Sequence, residues 1–120
     1  MSLKPRSRKN KGKNFQNWVC QKISDVLNLP WGKDELIASR EMGQSGTDVR
    51  LLGEAKEKFK FSVECKKTER WNIPGYIEQA KENRKDDTDW LLFVTKNRYK
   101  PIVIMDAEAF FKWWKLFIDD

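Results

Sequence analysis

The sequence predicts an α/β sandwich, one sheet covered by helices, in the order helix, three strands, helix, two strands, helix. Three observations carry that prediction. Phe15, Trp18, Val19, Ile23, Val26 and Leu27 recur at helical spacing. Residues 59–66 alternate apolar and polar, as a strand with one face on a core does. Residues 90–95 and 101–105 are continuously apolar, the pattern of strands buried on both faces.

The elements follow in order. The first helix covers residues 12–29 and is ended by Asn28-Leu29-Pro30. A polar turn at 30–35 leads to a short strand at 36–39, and Gln44-Ser45-Gly46-Thr47 reads as a loop. Residues 48–52 form a strand, 53–58 a turn and 59–66 a second strand. If these two strands pair as a hairpin about Lys56, Leu52 faces Lys60 and Asp48 faces Glu64. Asn72-Ile73-Pro74 opens a helix, with Asn72 as N-cap and Pro74 in its first turn, running to about Lys85. The two apolar strands flank a polar turn at 96–100. Asp106 then caps a terminal helix carrying Phe110, Phe111, Trp113, Trp114 and Phe117.

With 120 residues the chain suits one domain, and it shows no internal repeat. Its apolar runs are too short to cross a bilayer, and no apolar segment follows the basic N-terminus. Two cysteines, Cys20 and Cys65, make no disulfide framework, so a reduced cytoplasmic setting is expected, in a microbial cell or phage-infected host. There is no histidine, which excludes His-dependent triads, His-metal nucleases and Cys/His zinc fingers. The charge is unevenly placed. Residues 1–13 hold Lys4, Arg6, Arg8, Lys9, Lys11 and Lys13 and no acid, so the net +6 belongs to this segment. The expected organisation is a flexible basic arm at 1–13, suited to phosphate backbones, and a neutral domain at 14–120.

The chemistry sits at the end of the alternating strand. Phe59, Phe61, Val63 and Cys65 share one face, while Lys60, Ser62, Glu64 and Lys66 share the other, so Glu64 and Lys66 stand about 7 Å apart. In the hairpin register Asp48 opposes Glu64, and two facing carboxylates repel unless something positive lies between them. A hard divalent cation satisfies this arrangement, with oxygen ligands from Asp48, Glu64 and the Cys65 carbonyl. Glu-x-Lys alone is weak: nine glutamates and 17 lysines in 120 residues give about one match by chance. Glu54-Ala55-Lys56 is such a match, in a polar turn. Glu64-Cys65-Lys66 differs because it ends an amphipathic strand and follows a strand that begins Gly46-Thr47-Asp48. An ion-paired, solvent-facing sheet end is the plain alternative.

Gly46-Thr47-Asp48, fifteen residues and Glu64-Cys65-Lys66 together resemble the PD-(D/E)XK nuclease pattern, with Thr47 in place of the signature proline. Residues 11–118 are similar to the small Holliday-junction resolvases of archaea and their phage-encoded relatives. The resemblance implies a restriction-endonuclease-like core with a mixed five-stranded sheet, and a metal-dependent DNA endonuclease. It implies Mg²⁺, or Mn²⁺ in its place, on Asp48 and Glu64, with Lys66 orienting or activating the attacking water. Relatives carry a glutamate on the first helix where this chain has Gln16, after Lys11-Gly12-Lys13-Asn14-Phe15. An amide can still accept from a metal-bound water but adds no charge. Gln79 matches a supporting helical glutamine, and Ser45 sits where it can meet the phosphate.

Arg40, Arg50, Lys67, Arg70, Lys96, Arg98 and Lys100 offer a basic rim, which gives affinity and position without reading sequence. Trp71 either stacks on an unpaired base or packs in the core. The terminal helix has more apolar surface than one face can hide, which suggests a homodimer through that helix or a sheet edge. The expected partner is DNA, branched in the resolvase reading. A general, flap or mismatch nuclease of the same core, a binding module without catalysis and a structural protein docking through the aromatic helix are the rivals.

Overall fold

A computed structural model describes residues 5–41 and 44–119. The order is α1 (Pro5–Leu27), β1 (Ile37–Ser39), β2 (Val49–Leu51), α2 (Gly53–Lys58), β3 (Phe61–Lys67), α3 (Ile73–Asn83), β4 (Asp89–Thr95), β5 (Ile102–Met105) and α4 (Ala107–Asp119). On α1 the expected stripe is buried in part: Phe15, Val19 and Ile23, joined by Cys20, pack against Ile37, Val49, Val63 and Cys65, whereas Trp18 and Val26 are exposed. Asn28 ends the helix in the left-handed region at φ 56°, which asparagine tolerates better than most residues. The helix starts earlier than expected. Residues 5–13 are helical where a flexible arm was expected, with Pro5 at the first position, where its missing N–H costs nothing.

The caps behave as read. Asn72 accepts from the Gly75 amide at 3.2 Å, and a Cβ on Gly75 would come within 2.5 Å of the Asn72 amide nitrogen, so a larger residue there would push the capping side chain aside. Asp106 accepts from the Ala109 amide at 3.0 Å.

One expected turn is a helix. Gly53-Glu54-Ala55-Lys56-Glu57-Lys58 consists of good helix formers after the glycine, carries a Glu54–Lys58 ion pair at 2.6 Å and buries Ala55. This short α2 separates β2 from β3 and removes the expected hairpin. Strand β2 forms its ladder with β1 instead, antiparallel with Ile37 opposite Leu51 and Ser39 opposite Val49. The single five-stranded sheet is therefore replaced by two sheets, β1-β2 and β3-β4-β5. Outside their ladders, the Asp48 N–H donating to the Val63 carbonyl at 2.9 Å ties the two together.

In the second sheet β3 runs parallel to β4, with Glu64 opposite Leu92 and Lys66 opposite Val94, and β5 is antiparallel to β4. Helix α1 packs on β1 and β3, while α3 packs on β3 and β4. Both faces of β3 are thus covered. Ser62 and Glu64, on the polar face, lie beneath α3 beside the cluster of Ala80, Trp90, Leu92 and Val94. Of the two apolar strands only β4 is buried on both faces. β5 is the sheet edge, and Val103 is 51% exposed. Its apolar run reports a half-covered edge, not a central strand.

Candidate active site

Glu64 is an acid at 2% exposure in the middle of β3. A buried carboxylate needs partners. The Asn83 amide donates to Glu64 Oε1 at 2.8 Å from the last turn of α3. Asp48, just before β2, is held by two backbone contacts to β3: its own N–H donates to the Val63 carbonyl, and its Oδ2 accepts from the Cys65 N–H at 2.7 Å. These contacts bring the two carboxyls close enough for the Asp48 charge to act on Glu64. The expected hairpin is absent, yet Asp48 still comes to lie beside Glu64, because the Asp48–Val63 contact supplies the adjacency that a full ladder would have given.

The electrostatics follow from burial. Glu64 is pushed up to about 7, first by desolvation and then by the Asp48 charge, against the opposing pull of Asn83 and Lys66. Asp48 is also raised, by burial above all, although the Cys65 amide, Lys66 and Arg40 favour its charged form. The pair therefore holds less than two full negative charges near neutrality and gains from an added cation. Lys66 is half-buried on the Glu64 face, with Nζ 5.6 Å from the Tyr76 ring centroid. N–H and C=O of one strand residue point the same way, so the Cys65 carbonyl also faces the Asp48 side, away from β4.

A family model described as "Phage putative PDDEXK endonuclease" matches residues 7–117. The chain belongs to this family. No curated protein and no solved structure matches it. Asp48, Glu64, Cys65 and Lys66 all lie within the matched residues, and the structure brings the Asp48 carboxyl to the Cys65 N–H, next to Glu64 in β3.

The other expected site residues of this PDDEXK endonuclease divide. Gln16 is buried on the first helix, but its Oε1 accepts from the Ser39 hydroxyl at 2.9 Å, and the carboxyls are not among its hydrogen-bond partners. Gln79 is exposed, and the amide that reaches the cluster is Asn83, one helical turn later. Asn83 lies within the helix expected from the sequence, but the supporting role was expected of Gln79, one turn earlier. The i+4 spacing of Asn83 from Gln79 was the available signal. Ser45 is exposed in the loop before Asp48. Thr47, in the place of the signature proline, is buried, and its hydroxyl donates to the Val49 carbonyl at 3.0 Å.

The rim also divides. Arg40 lies over Gly46, its Nε donating to the Thr47 carbonyl, where its charge reaches Asp48. Arg50 is instead structural, its Nη2 donating to the Lys33 and Glu35 carbonyls. Arg70 is exposed beyond β3, and its carbonyl accepts from the Thr68 and Tyr76 hydroxyls. Lys13 donates to the Arg40 carbonyl at 3.1 Å and Lys11 to Asn97 Oδ1 at 3.5 Å. The side chains of Arg6, Arg8 and Lys9 lie outside the described residues, as does Lys4. Trp71 is half-buried, its indole N–H donating to the Thr95 carbonyl at 3.2 Å, so it packs rather than presents a free ring.

Among the described residues no group of three or more His, Cys, Asp or Glu side chains is placed to hold a metal. Two carboxylates and one backbone carbonyl are nevertheless a fitting donor set for Mg²⁺, which keeps several waters and takes substrate phosphate oxygens as further ligands. Among the described residues no helix is long and apolar enough to cross a membrane.

Proposed function

We propose that this chain is a divalent-cation-dependent DNA endonuclease that cuts four-way junctions as a homodimer, in the cytoplasm of a microbial cell or phage-infected host. The observation that supports it best is the buried Asp48–Glu64 pair with Lys66 beside it. Asp48, Glu64 and the Cys65 carbonyl would hold Mg²⁺ or Mn²⁺, which when bound polarises the scissile phosphate and lowers the pKa of water. Lys66 orients the attacking water from the Glu64 face, and its charge offsets the negative charge gathering on the phosphate. Asn83 fixes the Glu64 carboxyl, and the Cys65 amide fixes that of Asp48, so neither acid reorganises when substrate arrives. Arg40 and Ser45 stand at the mouth beside Asp48, where they can meet the phosphate backbone.

The homodimer rests on α4 and β5. Phe110, Phe111, Trp114, Phe117, Ile118 and Val103 remain exposed, and Phe117 is 73% accessible. Together they offer apolar surface on the order of 800 Å², the share of one partner in a standard interface. Two subunits would present two sites, as paired nicking of a junction requires.

The test is cleavage of a labelled four-way junction beside a duplex of the same sequence, with Mg²⁺ or EDTA, for wild type and Asp48→Asn. Paired Mg²⁺-dependent nicks in the junction alone, lost in the variant, are expected. Cleavage of both substrates would retain the nuclease and remove the junction preference. Binding without cleavage of either would favour a nucleic-acid-binding module, and Gln16→Glu would then be the first reversion to make.

A further inference from the structure

A second concave surface lies on the other side of β3 from the carboxylates. It is a groove of about 550 Å³ between α1 and the turn joining β4 to β5. Lys67, Lys96, Arg98 and Lys100 line it together with two aromatic side chains, Trp18 and Tyr99. Among the described residues no carboxylate lines it. Four cations without a counter-charge attract a polyanion. Trp18 is 42% and Tyr99 47% exposed, so both rings have area to offer.

Both rings are braced. Trp71, tied to the Thr95 carbonyl, meets Tyr99 edge-on with centroids 5.1 Å apart, and Lys96 Nζ lies 5.0 Å from the Tyr99 centroid. Trp18 stacks beside Phe15 at 6.0 Å. Arg98 holds a left-handed backbone, φ 60°, next to Asn97, although glycine or asparagine would adopt it at lower cost.

We infer that this groove binds the unpaired nucleotides of a DNA substrate, with bases stacked on Trp18 and Tyr99 and phosphates on Lys67, Lys96, Arg98 and Lys100. Alternating aromatic and cationic side chains are the means by which single strands are held without sequence reading. The placement defines a substrate class, resting on the nuclease reading above. Lys67 follows Lys66 directly, and side chains alternate across a strand, so groove and carboxylates occupy opposite faces of the same end of β3. A DNA that is paired at one and single-stranded at the other is a junction with an opened arm, or a flap, beside its scissile phosphate.

The test is fluorescence-detected binding by the full chain in EDTA, with three probes: a thymidine dodecamer, the same strand with abasic sites, and a hairpin duplex. Wild type is expected to prefer the dodecamer over the abasic strand. Trp18→Leu and Tyr99→Leu should each weaken dodecamer binding about tenfold and leave abasic and duplex binding unchanged. Trp18→Phe should restore most of it, which separates lost stacking from lost folding. Arg98→Gly should weaken every probe while the melting temperature stays the same or rises. Equal affinity of wild type for base-bearing and abasic strands would overturn the stacking groove, as would aromatic variants with undiminished dodecamer affinity. Base-dependent binding in a chain that cleaves nothing with Mg²⁺ would keep the groove and remove the enzyme.

Discussion

Two kinds of carboxylate occupy this sheet, and they are treated in opposite ways. Asp89 opens β4 at one end. Its Oδ2 accepts from Lys112 at 2.6 Å and from the Trp113 indole at 2.7 Å, which fastens α4 to the sheet. Burial alone would raise Asp89, but these donors outweigh it and hold the carboxyl below its ordinary value. Asp48 and Glu64 are more deeply placed, face each other and are both raised. The first carboxylate has the counter-charge it needs within the chain. The second pair has too little of it, since Lys66 and Arg40 do not offset burial, and it gains from a cation brought from outside. A structural acid is satisfied in the free protein, whereas a ligand-binding acid is left short of positive charge.

The largest expected effect lies at the pair. Asp48→Asn and Glu64→Gln should each reduce Mg²⁺-dependent cleavage by about 100-fold or more, while Asp89→Asn changes it less than about threefold. Retained cleavage in Glu64→Gln would end the distinction. Next comes the supporting amide. Asn83→Ala is expected to lower cleavage about tenfold and to move its pH profile upward, because Glu64 loses a donor that favours its charged form. Gln79→Ala should be near neutral in the same assay, and the reverse order would return the supporting role to Gln79.

Stability should show the complementary pattern. Asp89→Asn is expected to cost about 1 kcal/mol in urea unfolding, the loss of a charge-assisted contact at a partly exposed site. Glu64→Gln should cost less, or stabilise, in EDTA at pH 8, since it removes a buried charge lacking a full partner.

The last expected effect is the pH trend. Glu64 has a folded value of about 7 against an ordinary 4.5, so the folded chain binds more protons than the unfolded one between those values. Its contribution is therefore present at low pH and lost as pH rises through 7. Asp89 works with the opposite sign, its contribution present above the ordinary value of 3.8 and lost as pH falls below it. Urea midpoints in EDTA should fall between pH 5 and 8 for wild type and less for Glu64→Gln. Mg²⁺ should reverse the trend only when Glu64 is present.

What could be read from the sequence were the local regularities. The stripe through Phe15, Val19 and Ile23 and the alternation ending at Glu64-Cys65-Lys66 follow from backbone period. The caps at Asn72 and Asp106 follow from hydrogen bonds that span three residues. The spacing of Asp48 from Glu64-Cys65-Lys66 marked the candidate site for the same reason, since each side chain lies on an element whose period is legible. Tertiary structure decided the rest. β2 forms its ladder with β1 and not β3, and α2 takes the place of the tight turn a β2–β3 hairpin would need. β5 and β4 are alike in composition, yet position in the sheet leaves one exposed and buries the other. Glu64 sits on the polar face of β3 and would have been solvated had α3 not crossed above it, carrying Asn83 to the carboxyl from nineteen residues away. Period is a property of one segment, readable from its residues. Burial and counter-charge belong to whichever segment packs against it, and that choice is made by the whole chain.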